Sequence, residues 1–276
     1  MFLSGAALSG SLPEWAYTDQ NQQGGWGAIV GSDSIPPLNY PYAECAIGTR
    51  QSPMPVSSKA LKVPISAIQI DWKPFHADFF NPGHLLQVQP VDPMDDAGQL
   101  TVGHDQYSLV QLHIHTPSEH QLDGRTYDAE VHYVHFRPNG MIAVMALFLE
   151  VGTQNPALEL MLQNEPNTPG DPTHHPTTVL FDPKAFLPNQ TVSKSGNMIS
   201  RYFSYEGSLT TPPCTEGVAW YVLSKPGQIS ASQLNQLRGF FVNNTRALQA
   251  PNGRVNLSLL SEDFTDWKAL RVYSPN

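Results

Sequence analysis

The stretch QLHIHTPSEHQLDGRTYDAEVHYVH, Gln111 to His135, holds five of the chain's ten histidines, and its reading decides the rest. His113 and His115 are separated by Ile114, in a run whose β-branched and apolar residues favour an extended backbone. Side chains two apart in a strand project to one face, about 7 Å apart along the chain, so both imidazoles can converge on one ion. His132 lies in a second such run, AEVHYVH. There Glu130, His132 and Val134 share one face, and Val131, Tyr133 and His135 share the other. Asp123-Gly124 marks a turn between the runs, so an antiparallel return brings His132 opposite the first pair. A His-x-His alone reads equally well as two surface or core histidines. Three imidazoles with an open fourth position describe a catalytic zinc site, because structural zinc sites are usually closed by four protein ligands. Gln111 and Glu130, each two residues before a candidate ligand, are spaced to accept a ring N–H and hold the tautomer.

The 276 residues suffice for a substantial core, as one large β domain or two ordinary ones. A hydrophobic content of 40% reads as globular. With a net charge of −9 and only 15 Lys and Arg, the chain lacks the basic footprint of a nucleic-acid binder. No run approaches the roughly 18 apolar residues of a membrane span. The 25 prolines disfavour long helices and suit short strands joined by shaped loops. Cys45 and Cys214 are read from their count either as free thiols or as one bridge. The N-terminal MFLSGAALSG is small and apolar but lacks a basic start, so residues 1–13 read as a leader remnant or flexible segment. Sequons begin at Asn189, Asn243 and Asn256, and allow glycosylation if the chain enters a eukaryotic secretory pathway.

From Trp15 to Pro53 the residues show no sustained period and read as an irregular segment pinned by Trp15, Tyr17 and Trp26. Apolar runs at 65–70 and 85–88 flank the turn signal Asn81-Pro82-Gly83, which delivers His84 to the start of a strand. Residues 99–115 and 128–150 supply further strands, and the near-continuous apolar run from Met141 fits a strand buried on both faces. Asn155-Pro156 opens a short helix, and Ser230 or Ser232 caps another that runs to Leu237. Residues 164–178 read as a surface loop, in which His174-His175 has no assigned role. The segment Tyr205 to Leu223 has a strand-like end and a rigid Thr210-Thr211-Pro212-Pro213 centre. No composition break marks a second domain.

Taken in order, Trp15-x-Tyr17, Gln51-Ser52-Pro53, Asn81-x-Gly83-His84, Gln111-x-His113-x-His115, Ser118-Glu119-His120, Glu130-x-His132-x-x-His135 and Gly207 to Pro213 form a recognisable series. The chain resembles the α-class carbonic anhydrases over roughly residues 14 to 270. The resemblance implies one mainly β domain: a large, mostly antiparallel twisted sheet with short peripheral helices. It implies Zn2+ on His113, His115 and His132, with Gln111 and Glu130 supporting the ligands. The implied reaction is reversible hydration of carbon dioxide to bicarbonate by a zinc-bound hydroxide. Thr210 would orient that hydroxide, Glu119 would accept the Thr210 proton, and Thr211 would assist substrate binding. His84 would be the proton shuttle, with Tyr17 and Gln87 ordering the waters, and Val134, Val144, Leu209 and Trp220 would form the apolar wall for carbon dioxide. His120 and His135 are read as making buried hydrogen bonds.

The likeness also implies a Cys45–Cys214 disulfide, an extracellular, periplasmic or lumenal location, and inhibition by sulfonamides and anions. Three positions depart from the family pattern. Thr116 stands where many members have Trp, Leu85 is bulkier than the usual neighbour of the shuttle, and Pro82 stiffens its turn. A non-catalytic carbonic anhydrase-related binding protein and a zinc esterase are the competing readings; the complete ligand set argues against the first.

Overall fold

The computed structural model describes residues 12–21, 25–32, 39–63, 65, 67–92, 97–164, 175–188, 198–199, 201–241 and 243–259. Residues 1–11 of the expected leader at 1–13, the Asn189 sequon and His174 lie outside these. The strands are β1 (Leu61–Val63), β2 (Ile68–Ile70), β3 (Phe75–Phe80), β4 (Leu86–Pro90), β5 (Gln99–Val102), β6 (Asp105–His115), β7 (Gln121–Leu122) and β8 (Arg125–Thr126). They continue as β9 (Ala129–Phe136), β10 (Ile142–Val151), β11 (His175–Phe181), β12 (Met198–Ile199), β13 (Tyr202–Ser208), β14 (Glu216–Leu223), β15 (Gly227–Ile229) and β16 (Leu257–Leu259). The helices are α1 (Glu44–Ile47), α2 (Pro156–Asn164) and α3 (Ala231–Phe240). Asn155 caps α2, its Oδ1 accepting from the N–H groups of Ala157 and Leu158. Ser230 caps α3 in a reciprocal box with Gln233.

One domain results, built on a sheet ordered β1-β16-β13-β14-β10-β9-β6-β4-β3-β11. Its pairings are mostly antiparallel, as expected, but β10 runs parallel to β14 and β15, and β1 parallel to β16, so the sheet is mixed. Central β9 and β10 are buried on both faces, because an apolar cluster covers each side. One cluster contains Leu112, Ile114, Val131 and Tyr133; the other contains Val134, Val144, Phe148 and Trp220.

A bulge between Leu109 and Gln111 decides which side the histidines take. Before it, Tyr107 and Leu109 point into the first cluster; after it, Leu112 and Ile114 do. The extra residue thus switches the parity of β6 and turns Gln111, His113 and His115 to the opposite face. The Asp123-Gly124 turn is present as the tip of the β7–β8 hairpin, both residues having positive φ, of 50° and 81°.

Two expectations are corrected. Residues 175–178 belong to β11 and not to the expected loop. β11 pairs antiparallel with β3, and the Thr177 hydroxyl donates to the Ala77 carbonyl at 2.8 Å. Pro176 is tolerated there because β11 is an edge strand. β3 itself, FHADFF, lies between the two runs read as strands, and its mixed residues hid it.

Candidate metal centre and cleft

Pairing of β6 with β9 places His113 directly opposite His132, with His115 opposite Glu130. All three histidines are buried, and one ring nitrogen of each lies within 4.8 Å of the others. Their other nitrogens are committed. His113 Nδ1–H donates to Gln111 Oε1 at 2.8 Å, His115 Nδ1–H to the Asn244 carbonyl at 2.7 Å, and His132 Nε2–H to Glu130 Oε1 at 2.9 Å. Each acceptor lacks a proton to give, so the tautomers are set and Nε2, Nε2 and Nδ1 are left bare. His115 Nε2 is buried without a hydrogen-bond partner among the described residues. Burial, then the neighbouring histidines, hold His113 well below the usual imidazole range; burial also lowers His115, against the pull of Glu119. Three buried histidines, each with one ring nitrogen committed to an acceptor and the other facing its neighbours, are a donor set suited to zinc, and the residues present fit it.

Glu130 braces a second histidine. Its oxygens accept from His120 Nδ1–H at 2.6 Å and from the His120 backbone N–H at 2.8 Å. Burial pushes the Glu130 carboxyl upward, but His120 and His132 outweigh it and hold the group well below the carboxylate range. Tyr205 hydroxyl bridges His120 Nε2 at 2.7 Å and Ser52 Oγ at 3.0 Å. On the far face His135 Nε2 accepts from the Trp72 indole N–H at 3.1 Å. Both histidines therefore make the buried hydrogen bonds expected of them.

Glu119 Oε1 accepts the backbone N–H of Arg246 at 2.7 Å. Its Oε2 is buried, without a hydrogen-bond partner among the described residues, 3.7 Å from His115 Nε2 and 4.0 Å from His132 Nδ1. Thr210, also buried, and Thr211 follow β13. Ser52 N–H donates to Ser208 Oγ, and Ser208 N–H to Ser52 Oγ, which pins the strand end before Thr210. Cys45 and Cys214 form a disulfide. Around it, Gln51 Nε2 donates to the Cys214 carbonyl, and the Arg246 guanidinium donates to Gln51 Oε1, Ser52 O and Cys45 O. Burial lowers Arg246 to about 10, against the pull of Glu119.

Val134, Val144 and Trp220 are register partners across β9, β10 and β14, and Leu209 packs against the same cluster. They form one apolar row on the face that carries the histidines. Gln87 stands opposite His113 on β4, its amide donating to Gln89, whose amide donates to Asp78. Tyr17 Oη is buried, and burial followed by the Glu119 charge raises it well above the phenol range. His84 precedes β4 and stacks on Trp15, ring centroids 4.1 Å apart; burial lowers its pKa, with Glu14 opposing. Sequence reading missed Asn244 and Arg246, which lie in an irregular segment after α3 with no motif of their own.

A family model described as eukaryotic-type carbonic anhydrase matches residues 37–257. The chain belongs to the α-carbonic anhydrase family. Membership makes it an enzyme of that family. A carbonic anhydrase from Nostoc sp. is 33% identical over 236 residues, covering 83% of this chain and 84% of the relative. One from Neisseria gonorrhoeae is 33% identical over 251 residues, covering 91% and 90%. The solved α-carbonic anhydrase of Thermovibrio ammonificans, in complex with the inhibitor sulfanilamide, superposes with a TM-score of 0.69 at 34% identity. That match covers 79% of this chain and 90% of that one. Among the described residues no helix is long and apolar enough to cross a membrane.

Proposed function

We propose that this carbonic anhydrase interconverts carbon dioxide and bicarbonate, with zinc held by His113 Nε2, His115 Nε2 and His132 Nδ1. The observation that carries the reading is the convergence of one ring nitrogen from each of three buried histidines on the face that also presents an apolar row. Zinc on such ligands supplies a Lewis acid that makes hydroxide available at neutral pH, an effect for which carbonic anhydrase is itself the reference case. Gln111, the Asn244 carbonyl and Glu130 keep each ligand nitrogen unprotonated. The Thr210 hydroxyl would donate to Glu119 Oε2, which has no hydrogen-bond partner among the described residues, and so leave its own lone pairs for the attacking oxygen. Val134, Val144, Leu209 and Trp220 hold carbon dioxide by apolar contact, and Thr211 assists its binding. His84, whose pKa burial lowers, accepts the released proton and passes it to buffer. Tyr17 and Gln87 order the intervening waters.

The catalytic domain is taken as residues 14 to 270, and the stack of Trp15 on His84 supports its N-terminal limit. The disulfide supports an extracellular, periplasmic or lumenal location. The sulfanilamide complex of the Thermovibrio enzyme supports inhibition by sulfonamides here. Stopped-flow carbon dioxide hydration on zinc-loaded protein, with and without a sulfonamide, tests the reading. Hydration abolished by the sulfonamide is expected; a rate no higher than that of His115→Ala refutes it.

A further inference from the structure

Asn244 lies after α3, outside the strands that carry the histidines, and is 1% exposed. All its hydrogen bonds reach the metal centre or the turn that carries His84. Its carbonyl accepts His115 Nδ1–H at 2.7 Å, and its backbone N–H donates to Thr116 O at 3.3 Å. Its side-chain Oδ1 accepts Thr116 N–H at 2.7 Å. The two Nδ2 hydrogens go to two carbonyls, Ile114 O at 3.0 Å and His84 O at 3.1 Å. A planar amide with both donors placed on separate segments holds those segments in a fixed relation, and burial makes each bond costly to leave unmade.

We infer that Asn244 is a positioning residue that couples the proton-accepting histidine to the metal-holding one, an inference that rests on the function proposed above. The main chain of Asn244 sets the ring of His115, while its side chain sets the main chain of His84. His84 precedes β4, and its carbonyl takes a hydrogen bond from Asn244 Nδ2. The amide therefore fixes the distance between the imidazole that must take up a proton and the centre that releases it. Proton transfer through ordered water depends steeply on that distance, whereas attack on carbon dioxide does not use His84. Thr116 contributes by offering both its N–H and its C=O to the same residue.

Asn244→Asp tests the coupling. It keeps an acceptor for Thr116 N–H but replaces the two donors with an oxygen facing two carbonyls. Turnover (kcat) in weak buffer is expected to fall about tenfold, with kcat/KM changed by less than about threefold and turnover restored by free imidazole. In a His84→Ala background the same substitution should cost no further turnover, because its effect runs through His84. Separately, Asn244→Ala should weaken zinc binding about tenfold in chelator competition. Equal losses with and without His84, or unchanged turnover in Asn244→Asp, overturn the coupling. If Asn244→Asp does not fold, Asn244→Ser takes its place in the same cycle. If the wild type hydrates no carbon dioxide, the functional reading fails on its own. Zinc affinity then decides the positioning role, and an unchanged value in Asn244→Ala rejects it.

Discussion

His113 and His132 face each other directly across two antiparallel strands, their ring centroids 5.2 Å apart. The strand pairing, not a loop, sets the spacing of the metal donors, so the site is as rigid as the sheet beneath it. Sites built on sheet elements hold their geometry without the metal, and the supporting acceptors then decide how tightly it binds.

Glu130 is the acceptor with most to lose. It holds His132 and His120 together. Glu130→Gln should weaken zinc affinity by about 10- to 100-fold, since an amide accepts less strongly and presents a donor to one ring. Competition with a chromogenic chelator measures this; wild-type affinity in the variant would show that the carboxylate does not support the ligand.

His84→Ala should lower turnover in weak buffer and leave kcat/KM nearly unchanged, with free imidazole restoring the rate. The half-buried ring stacked on Trp15 is the basis. A variant as fast as wild type in dilute buffer rejects the shuttle.

Tyr205→Phe removes a buried hydroxyl that bridges His120 and Ser52. The ring stays packed while His120 Nε2 loses its partner, so a loss of about 1–3 kcal/mol is expected in urea unfolding. An unchanged midpoint would mean that water or a rearranged side chain replaces the bond.

Acid stability should depend on His135. Burial lowers its pKa from 6.5 to about 3, with the backbone of Ala143 and Tyr133 opposing. The unfolded chain therefore binds a proton below about pH 6.5 that the folded ring refuses. The contribution is present above 6.5 and lost as pH falls toward and through 3, at up to about 1.4 kcal/mol per pH unit. His135→Gln keeps an acceptor for Trp72 and should flatten the urea midpoint over that window. A profile parallel to wild type would assign the acid loss elsewhere.

Reduction of the Cys45–Cys214 bridge, which links positions 169 residues apart, should cost about 2–5 kcal/mol. Denaturation with and without reductant measures the difference, and two free thiols in the denatured, unreduced protein would contradict the bridge itself.

The periodicity of β6 and β9, the turn at Asp123-Gly124 and the acceptors two residues before His113 and His132 were all legible in order along the chain, because each is a relation between near neighbours. The capping residues Asn155 and Ser230 were legible for the same reason. The bulge after Leu109, the third ligand's acceptor Asn244 and the Arg246 contact with Glu119 were not. Nor was β3, which becomes a strand only because β4 and β11 take up its backbone groups.

By itself the sequence determined which histidines could meet a metal, since a two-residue strand period and one turn suffice to place three of them on one face. Tertiary structure decided which nitrogen of each ring is left bare, because the tautomer depends on the partner at the ring's other nitrogen. For His115 that partner lies 129 residues away, at a carbonyl that no local pattern in the chain marks.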